Sequence, residues 1–289
     1  MGNNKKDNLL NKAISLRDSG ELSKALAILS TIVEKTPDLE TLYLIGDICW
    51  DMGQILEAIS YFKKATQLSP DDELSSLALY HTLSESENFE EALNEMERYL
   101  TSFSSLEYES FRAECYFKQG MRSFDFNKRN LLLERAIAVA PEYAEAFVEL
   151  GKSYKKLGEI EKAKSAYKKA IEIEDDGWAR LYLGNLFYGI GDLPAAEIEF
   201  IKAQKLLPDI AAPLWCQGDV YRLKGEVKKS EQFYQKAVKL ESNDSQSLAR
   251  LGRSLLENNR IEEGGKYIEH ALRVDPSCSI ALKSKQRFM

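Results

Sequence analysis

The chain has 289 residues, with 39 Lys/Arg against 46 Asp/Glu for a net charge of −7, and is 44% hydrophobic and 29% charged. That length exceeds what one compact core usually serves, so two domains or an extended repeat array are expected. Only 7 prolines and 16 glycines exclude a largely disordered or collagen-like chain, and the acidic balance argues against nucleic acid as a partner.

Ala, Leu, Glu and Lys recur throughout, and runs of Val, Ile or Thr are scarce, which favours an all-α fold. No apolar run reaches the ~18 residues that a membrane span needs, so no membrane insertion is expected. The opening MGNNKKDNLLNK lacks the apolar core of a signal peptide. Lys6 stands where a myristoylation signal needs Ser or Thr. The expected location is cytoplasmic, with residues 1–5 as a flexible tail. Cys49, Cys115, Cys216 and Cys278 are far apart with no CxxC among them, which suits small packing residues in a reducing compartment.

A pattern of small and aromatic residues repeats every 33–34 positions along the chain. The first copy, from about Lys6, has Gly20, Ala25 and Pro37. The second, from Leu39, has Ile45-Gly46, Gly53, Ala58, Phe62, Ala65 and Pro70. The third, from Glu73, departs from the pattern: Tyr80 replaces the first Gly, Glu87 the turn Gly and Tyr99 the second Ala. The fourth, from Leu106, keeps Gly120, Ala136 and Pro141 but needs extra residues near 121–127, where a joint is expected. The fifth, from Ala144, has Leu150-Gly151, Tyr154, Gly158, Ala163, Tyr167 and Ala170. The sixth, from Gly177, has Leu183-Gly184, Phe187, Gly191, Ala196, Phe200, Ala203 and Pro208. The seventh, from Ala211, has Gly218, Tyr221, Gly225, Tyr234 and Ala237, with Ser230 at the first Ala position. The eighth, from Ser245, has Leu251-Gly252, Ala271 and Pro276, with Gly264 at that position. Residues 6–278 thus read as eight repeats, and 279–289 as a C-terminal cap helix.

Each repeat reads as two antiparallel helices. Gly at the turn adopts backbone angles costly for other residues, Gly and Ala within the helices permit close crossing, and Pro stops the second helix. One hairpin cannot bury its apolar face alone, but stacked neighbours can. The spacing resembles the tetratricopeptide repeat (TPR). That resemblance implies an all-α, right-handed superhelical solenoid of about eight helix-turn-helix units, with the first helix of each lining a concave groove. It also implies a non-catalytic scaffold or adaptor that binds a partner peptide or domain there.

Laid on that frame, the groove positions are held by Tyr43, Asp47 and Trp50 in the second repeat, Phe117 in the fourth and Lys152 and Lys155 in the fifth. The sixth contributes Trp178, Asn185 and Tyr188, the seventh Trp215, Asp219 and Arg222, and the eighth Arg253. All three tryptophans are at groove positions, and large aromatics in a groove are typical anchors. Residues 1–120 carry 11 Lys/Arg and 21 Asp/Glu, while the remainder carries 28 and 25, so the groove is expected to be charge-polarised. The carboxylate clamp by which some members hold the acidic tail of heat-shock chaperones is rejected, because Leu181 occupies the Lys place before Asn185.

No catalytic or metal-binding motif is present: HExxH, GxSxG, GxxxxGK[ST] and paired Cys/His spacings are all absent. Neither enzyme activity nor a cofactor or metal is expected. The partner is expected to be another protein, and self-association stays open. The segment LALYHTLSESENFEEALNEMERYL is similar to parts of small bacterial TPR proteins encoded beside secreted toxins. That likeness implies an alternative, an immunity-type inhibitor or chaperone of a toxin. A subunit of an enzyme complex whose catalysis lies on another chain is a further reading.

Overall fold

The computed structural model describes residues 3–100 and 106–288, all of whose regular structure is helical. The helices are α1 (Asn3–Asp18), α2 (Leu22–Val33), α3 (Leu39–Asp51), α4 (Ile55–Leu68), α5 (Glu73–Glu85), α6 (Phe89–Leu100), α7 (Leu106–Arg122), α8 (Phe126–Val139) and α9 (Ala144–Leu157). They continue as α10 (Ile160–Ile173), α11 (Gly177–Gly189), α12 (Leu193–Leu206), α13 (Ala212–Leu223), α14 (Val227–Leu240), α15 (Ser245–Glu257), α16 (Ile261–Val274) and α17 (Ser279–Phe288). The chain divides into an N-terminal body, Met1–Pro141, and a C-terminal body, Glu142–Met289.

Within each body the helices pair as successive hairpins, and each second helix packs on the first helix of the next hairpin. First helices also touch directly: α3 meets α5 in the N-terminal body, and α9, α11, α13 and α15 meet in series in the C-terminal one. They therefore build a face of their own. Each body is an all-α solenoid of stacked hairpins.

Local sequence sets the helix limits. Asp38, Asp72, Asp176 and Asp244, each one residue before a first helix, accept backbone N–H bonds from Thr41, Ser75, Ala179 and Ser247. These caps satisfy amides that the helix itself leaves bare, at about 1 kcal/mol each. Lys6 reaches from α1 to Asp38 at 3.0 Å. Burial works to raise the Asp38 pKa, but the bonds from Thr41 and Lys6 together hold it below the usual carboxylate value.

The hairpins close through one contact. Sixteen positions after the first Gly stands a large, fully buried side chain: Phe62 follows Gly46, Tyr167 follows Gly151, Phe200 follows Gly184 and Tyr234 follows Gly218. A Cβ on Gly151 would lie 2.6 Å from the Tyr167 ring, well inside van der Waals contact. In the third repeat the bulk is exchanged. Tyr80 fills the Gly place, the flexible Met96 takes the aromatic place, and both are buried. The Tyr80 hydroxyl donates to the Phe111 carbonyl, 3.3 Å away.

Two turns differ from the rest. Glu87 (φ 61°) and Asn259 (φ 59°) adopt the left-handed conformation that Gly20, Gly53, Gly158, Gly191 and Gly225 hold elsewhere. For a residue with a Cβ this costs ~1–2 kcal/mol. The exposed Glu87–Arg122 ion pair recovers less than about 1 kcal/mol. Glu87→Gly is therefore expected to stabilise the N-terminal body by about 1 kcal/mol in urea unfolding. A loss of stability would show that the Arg122 contacts outweigh the backbone strain.

One sequence reading changes. The tail is shorter than residues 1–5, because α1 begins at Asn3; nothing between there and Ser19 breaks a helix, and residues 1–2 lie outside the described residues. Gly120 lies within α7, which runs on to Arg122 and absorbs the additional length of the fourth repeat. The chain then reverses at residues 123–125, where Asp125 caps α8. The two compact bodies divide after Pro141. The Tyr99 position has no described side chain. At the C-terminus, α17 lies against α15 and α16. Cys278, Ala281, Ile280 and Phe288 join Leu248, Leu256 and Ile268 in one apolar cluster.

Candidate first-helix interface

In the N-terminal body, much of the first-helix face is tied down by contacts between neighbouring hairpins. Asp47 accepts from Arg17 of α1 at 3.1 Å. Burial and the nearby Asp51 raise the Asp47 pKa, and Arg17 works against them. The Trp50 indole N–H donates to Glu85 of α5 at 2.5 Å, yet Trp50 keeps 36% of its surface exposed. Tyr43 is half-buried with its ring 5.7 Å from that of Phe62. His81 makes edge contacts with Tyr80 and Phe111. Phe117 is buried; it belongs to the packing of α7 and not to an open surface.

In the C-terminal body the same face holds two distinct environments. The first is a cleft of about 430 Å³ lined by Glu145, Glu149, Lys152, Glu174, Trp178 and Tyr182, among others. Trp178 is 42% exposed there. Lys152 bonds to Glu149 at 2.6 Å and lies 4.3 Å from the centre of the Tyr182 ring. Partial burial works to lower the Lys152 pKa, but Glu149 and then Tyr182 together outweigh it, for a net rise.

The second environment is a charged cluster around Asp219. This carboxylate is buried and accepts from the Tyr234 hydroxyl at 2.7 Å, Arg250 Nε at 2.9 Å and Arg253 Nη2 at 3.3 Å. The Arg250 guanidinium stacks 3.7 Å from the centre of the Trp215 ring and bonds to Gln246 Oε1 at 2.8 Å. Burial, then the charge of Asp219, push the Tyr188 and Cys216 pKa values up. The Cys216 thiol donates to Asn185 Oδ1, 3.6 Å away. Lys155 is exposed, and partial desolvation together with Lys156 lowers its pKa.

Of the residues expected in a groove, the C-terminal body thus brings together Lys155, Asn185, Tyr188, Trp215, Asp219, Arg222 and Arg253 in one neighbourhood, with Lys152 and Trp178 at the cleft. Asp219 is a structural hub and not a free contact residue, because three donors consume its oxygens. Sequence reasoning missed Arg250. Its signal was spacing: a base 31 residues after Asp219, just under one repeat period, places the two on adjacent first helices.

The Tetratricopeptide repeat family model matches residues 39–72, 144–176, 217–244 and 245–278. The chain carries tetratricopeptide repeats. The match leaves out the first, third, fourth and sixth repeats, although the sixth carries its Gly, Ala, aromatic and Pro positions. Among curated TPR-type relatives, the CTR9 homolog of Arabidopsis thaliana is 24% identical over 265 residues, spanning 87% of this chain and 24% of that protein. Anaphase-promoting complex subunit 3 of Schizosaccharomyces pombe is 26% identical over 243 residues, spanning 82% of this chain and 36% of that one. The chain therefore spans only a quarter to about a third of the length of these relatives. Among solved TPR folds, the C-terminal part of a TPR repeat-containing protein from Cytophaga hutchinsonii matches with TM-score 0.61, at 15% identity over 84% of this chain and 98% of that one. The Cut9-Hcn1 hetero-tetramer matches with TM-score 0.52, at 17% identity over 100% of this chain and 57% of the other. At these identities the likeness establishes the fold alone. Among the described residues of this TPR chain, no group of three or more His, Cys, Asp or Glu side chains could hold a metal ion, and no helix is long and apolar enough to cross a membrane.

Proposed function

We propose that this chain is a non-catalytic scaffold that holds a segment or domain of another protein against the face built by its first helices. The observation that carries this reading is the C-terminal body's first-helix face, where Trp178, 42% exposed, borders an open cleft. An exposed Trp beside a concavity offers a large desolvation gain to a partner and none to the free chain. Of the curated relatives, anaphase-promoting complex subunit 3 of Schizosaccharomyces pombe is by its name a subunit of an assembly, which accords with a role in a complex. Lys152 and Tyr182 flank Trp178, while Lys155, Asn185, Tyr188, Trp215, Arg222 and Arg253 extend the same face, and Tyr43, Asp47 and Trp50 form its counterpart in the N-terminal body.

A photo-cross-linking residue placed at Trp178 should trap a protein partner in the native cell. One placed at Ile198, exposed on the second helix α12, should not. In parallel, Trp178→Ala should weaken binding of the trapped partner by about 2 kcal/mol with little change in melting temperature. Adducts from position 198 and none from position 178 would overturn the assignment of the binding face.

A further inference from the structure

The charged cluster on the C-terminal body holds more cations than its own fold neutralises. Lys155, Lys156, Arg222, Arg250 and Arg253 gather around Cys216 and Asp219, and the acids seen against them among the described residues are Asp219 and Glu257. Asp219 is buried and already shared between Arg250 and Arg253. Arg222, Lys155 and Lys156 make no ion pair among the described residues. Nε of Arg222 and Nε of Arg253 are both shielded from solvent with no acceptor. A guanidinium N–H left without an acceptor carries an uncompensated desolvation cost, and a planar donor fork is shaped for an oxyanion.

We propose that this cluster recognises the side-chain carboxylates of an acidic protein segment, with Lys155, Arg222 and Arg253 as the contacting cations and Tyr188 and Trp215 as the walls between them. The proposal rests on the scaffold reading and names the chemistry of the partner. Local charge excess separates a protein from a polyanion. Residues 142–289 carry 24 Lys/Arg and 23 Asp/Glu, a near-neutral balance that does not favour a phosphate backbone. An isolated cationic cluster flanked by half-buried aromatics suits single carboxylates set among apolar side chains. The set also differs from a clamp on a chain terminus, because its cations belong to the fifth, seventh and eighth repeats.

The test uses the full chain at low ionic strength and a fluorescein-labelled peptide with the core Glu-Asp-Leu-Glu-Asp. Its control has the amide core Gln-Asn-Leu-Gln-Asn. Fluorescence anisotropy should show binding of the acidic peptide and none of the amide peptide. Arg222→Gln and Lys155→Gln should each weaken the acidic peptide about tenfold with melting temperatures unchanged. Lys169→Gln, an exposed cation of α10 outside the cluster, should leave the affinity as it was. Equal binding of both peptides, equal weakening by all three substitutions, or no binding at low salt would overturn the proposal. So would binding of inorganic tripolyphosphate by the cluster without binding of the peptide. If these fail while the cross-link at position 178 still captures a partner, the scaffold stands and only its partner chemistry is wrong.

Discussion

Replacing Asp219 with Ala should destabilise the C-terminal body by ~3–5 kcal/mol, the largest loss expected from any single polar substitution in the chain. The carboxylate side chain is 13% exposed, and that of its partner Arg250 is 10% exposed. Removing the acid strands a guanidinium between Trp215 and Gln246 with its counter-charge gone. It also leaves the buried Tyr234 hydroxyl without its acceptor. The cost arises from the stranded groups rather than from the worth of the ion pair, because desolvation of both charges offsets much of their attraction. The double variant Asp219→Ala with Arg250→Met should therefore recover a large part of the loss. Chemical denaturation of the single and double variants measures both quantities. A loss below about 1 kcal/mol for Asp219→Ala would mean that the cluster behaves as a solvated surface pair.

Gly184→Ala and Gly189→Ala, two identical substitutions five residues apart on α11, should act in opposite directions. A methyl at Gly184 meets the Phe200 ring at 2.6 Å, and that ring is fully buried. It can yield only by separating α11 from α12, which costs about 1–3 kcal/mol as overpacking. Gly189 has nothing within 4 Å of its would-be Cβ, so Ala there should stabilise by ~0.5–1 kcal/mol through helix propensity. Thermal unfolding of the two variants beside the parent decides it. Stabilisation by both would show that α11 and α12 are free to part, and that the glycine-aromatic crossing does not fix the hairpin.

How much could be read without the structure varies by element. The Gly, Ala and aromatic positions of the second, fifth and sixth repeats, with Pro70 and Pro208 after two of them, disclose the hairpins, because close helix crossings tolerate few side chains and so leave a periodic trace. The same logic fails in the third and fourth repeats. There Tyr80 and Met96 satisfy the packing by exchanging volume, and α7 takes up additional residues by lengthening. Both solutions keep the fold while erasing its signature.

The candidate interface divides along a similar line. Repeat position alone places Trp50, Trp178 and Trp215 on first helices, because 3.6-residue periodicity fixes which face a residue occupies. It does not decide which of these faces stays open. Trp178 borders a cleft, Trp215 is covered by Arg250, and Phe117 is buried, outcomes set by neighbours a full repeat away. Sequence by itself determined the helical hairpins, their register and the first-helix positions, since these follow from local sterics and backbone capping. Only the tertiary structure decided that Asp219 is consumed by Tyr234, Arg250 and Arg253 while Lys155 and Arg222 make no ion pair among the described residues, because charge balance is a property of side chains that meet across helices distant in the chain.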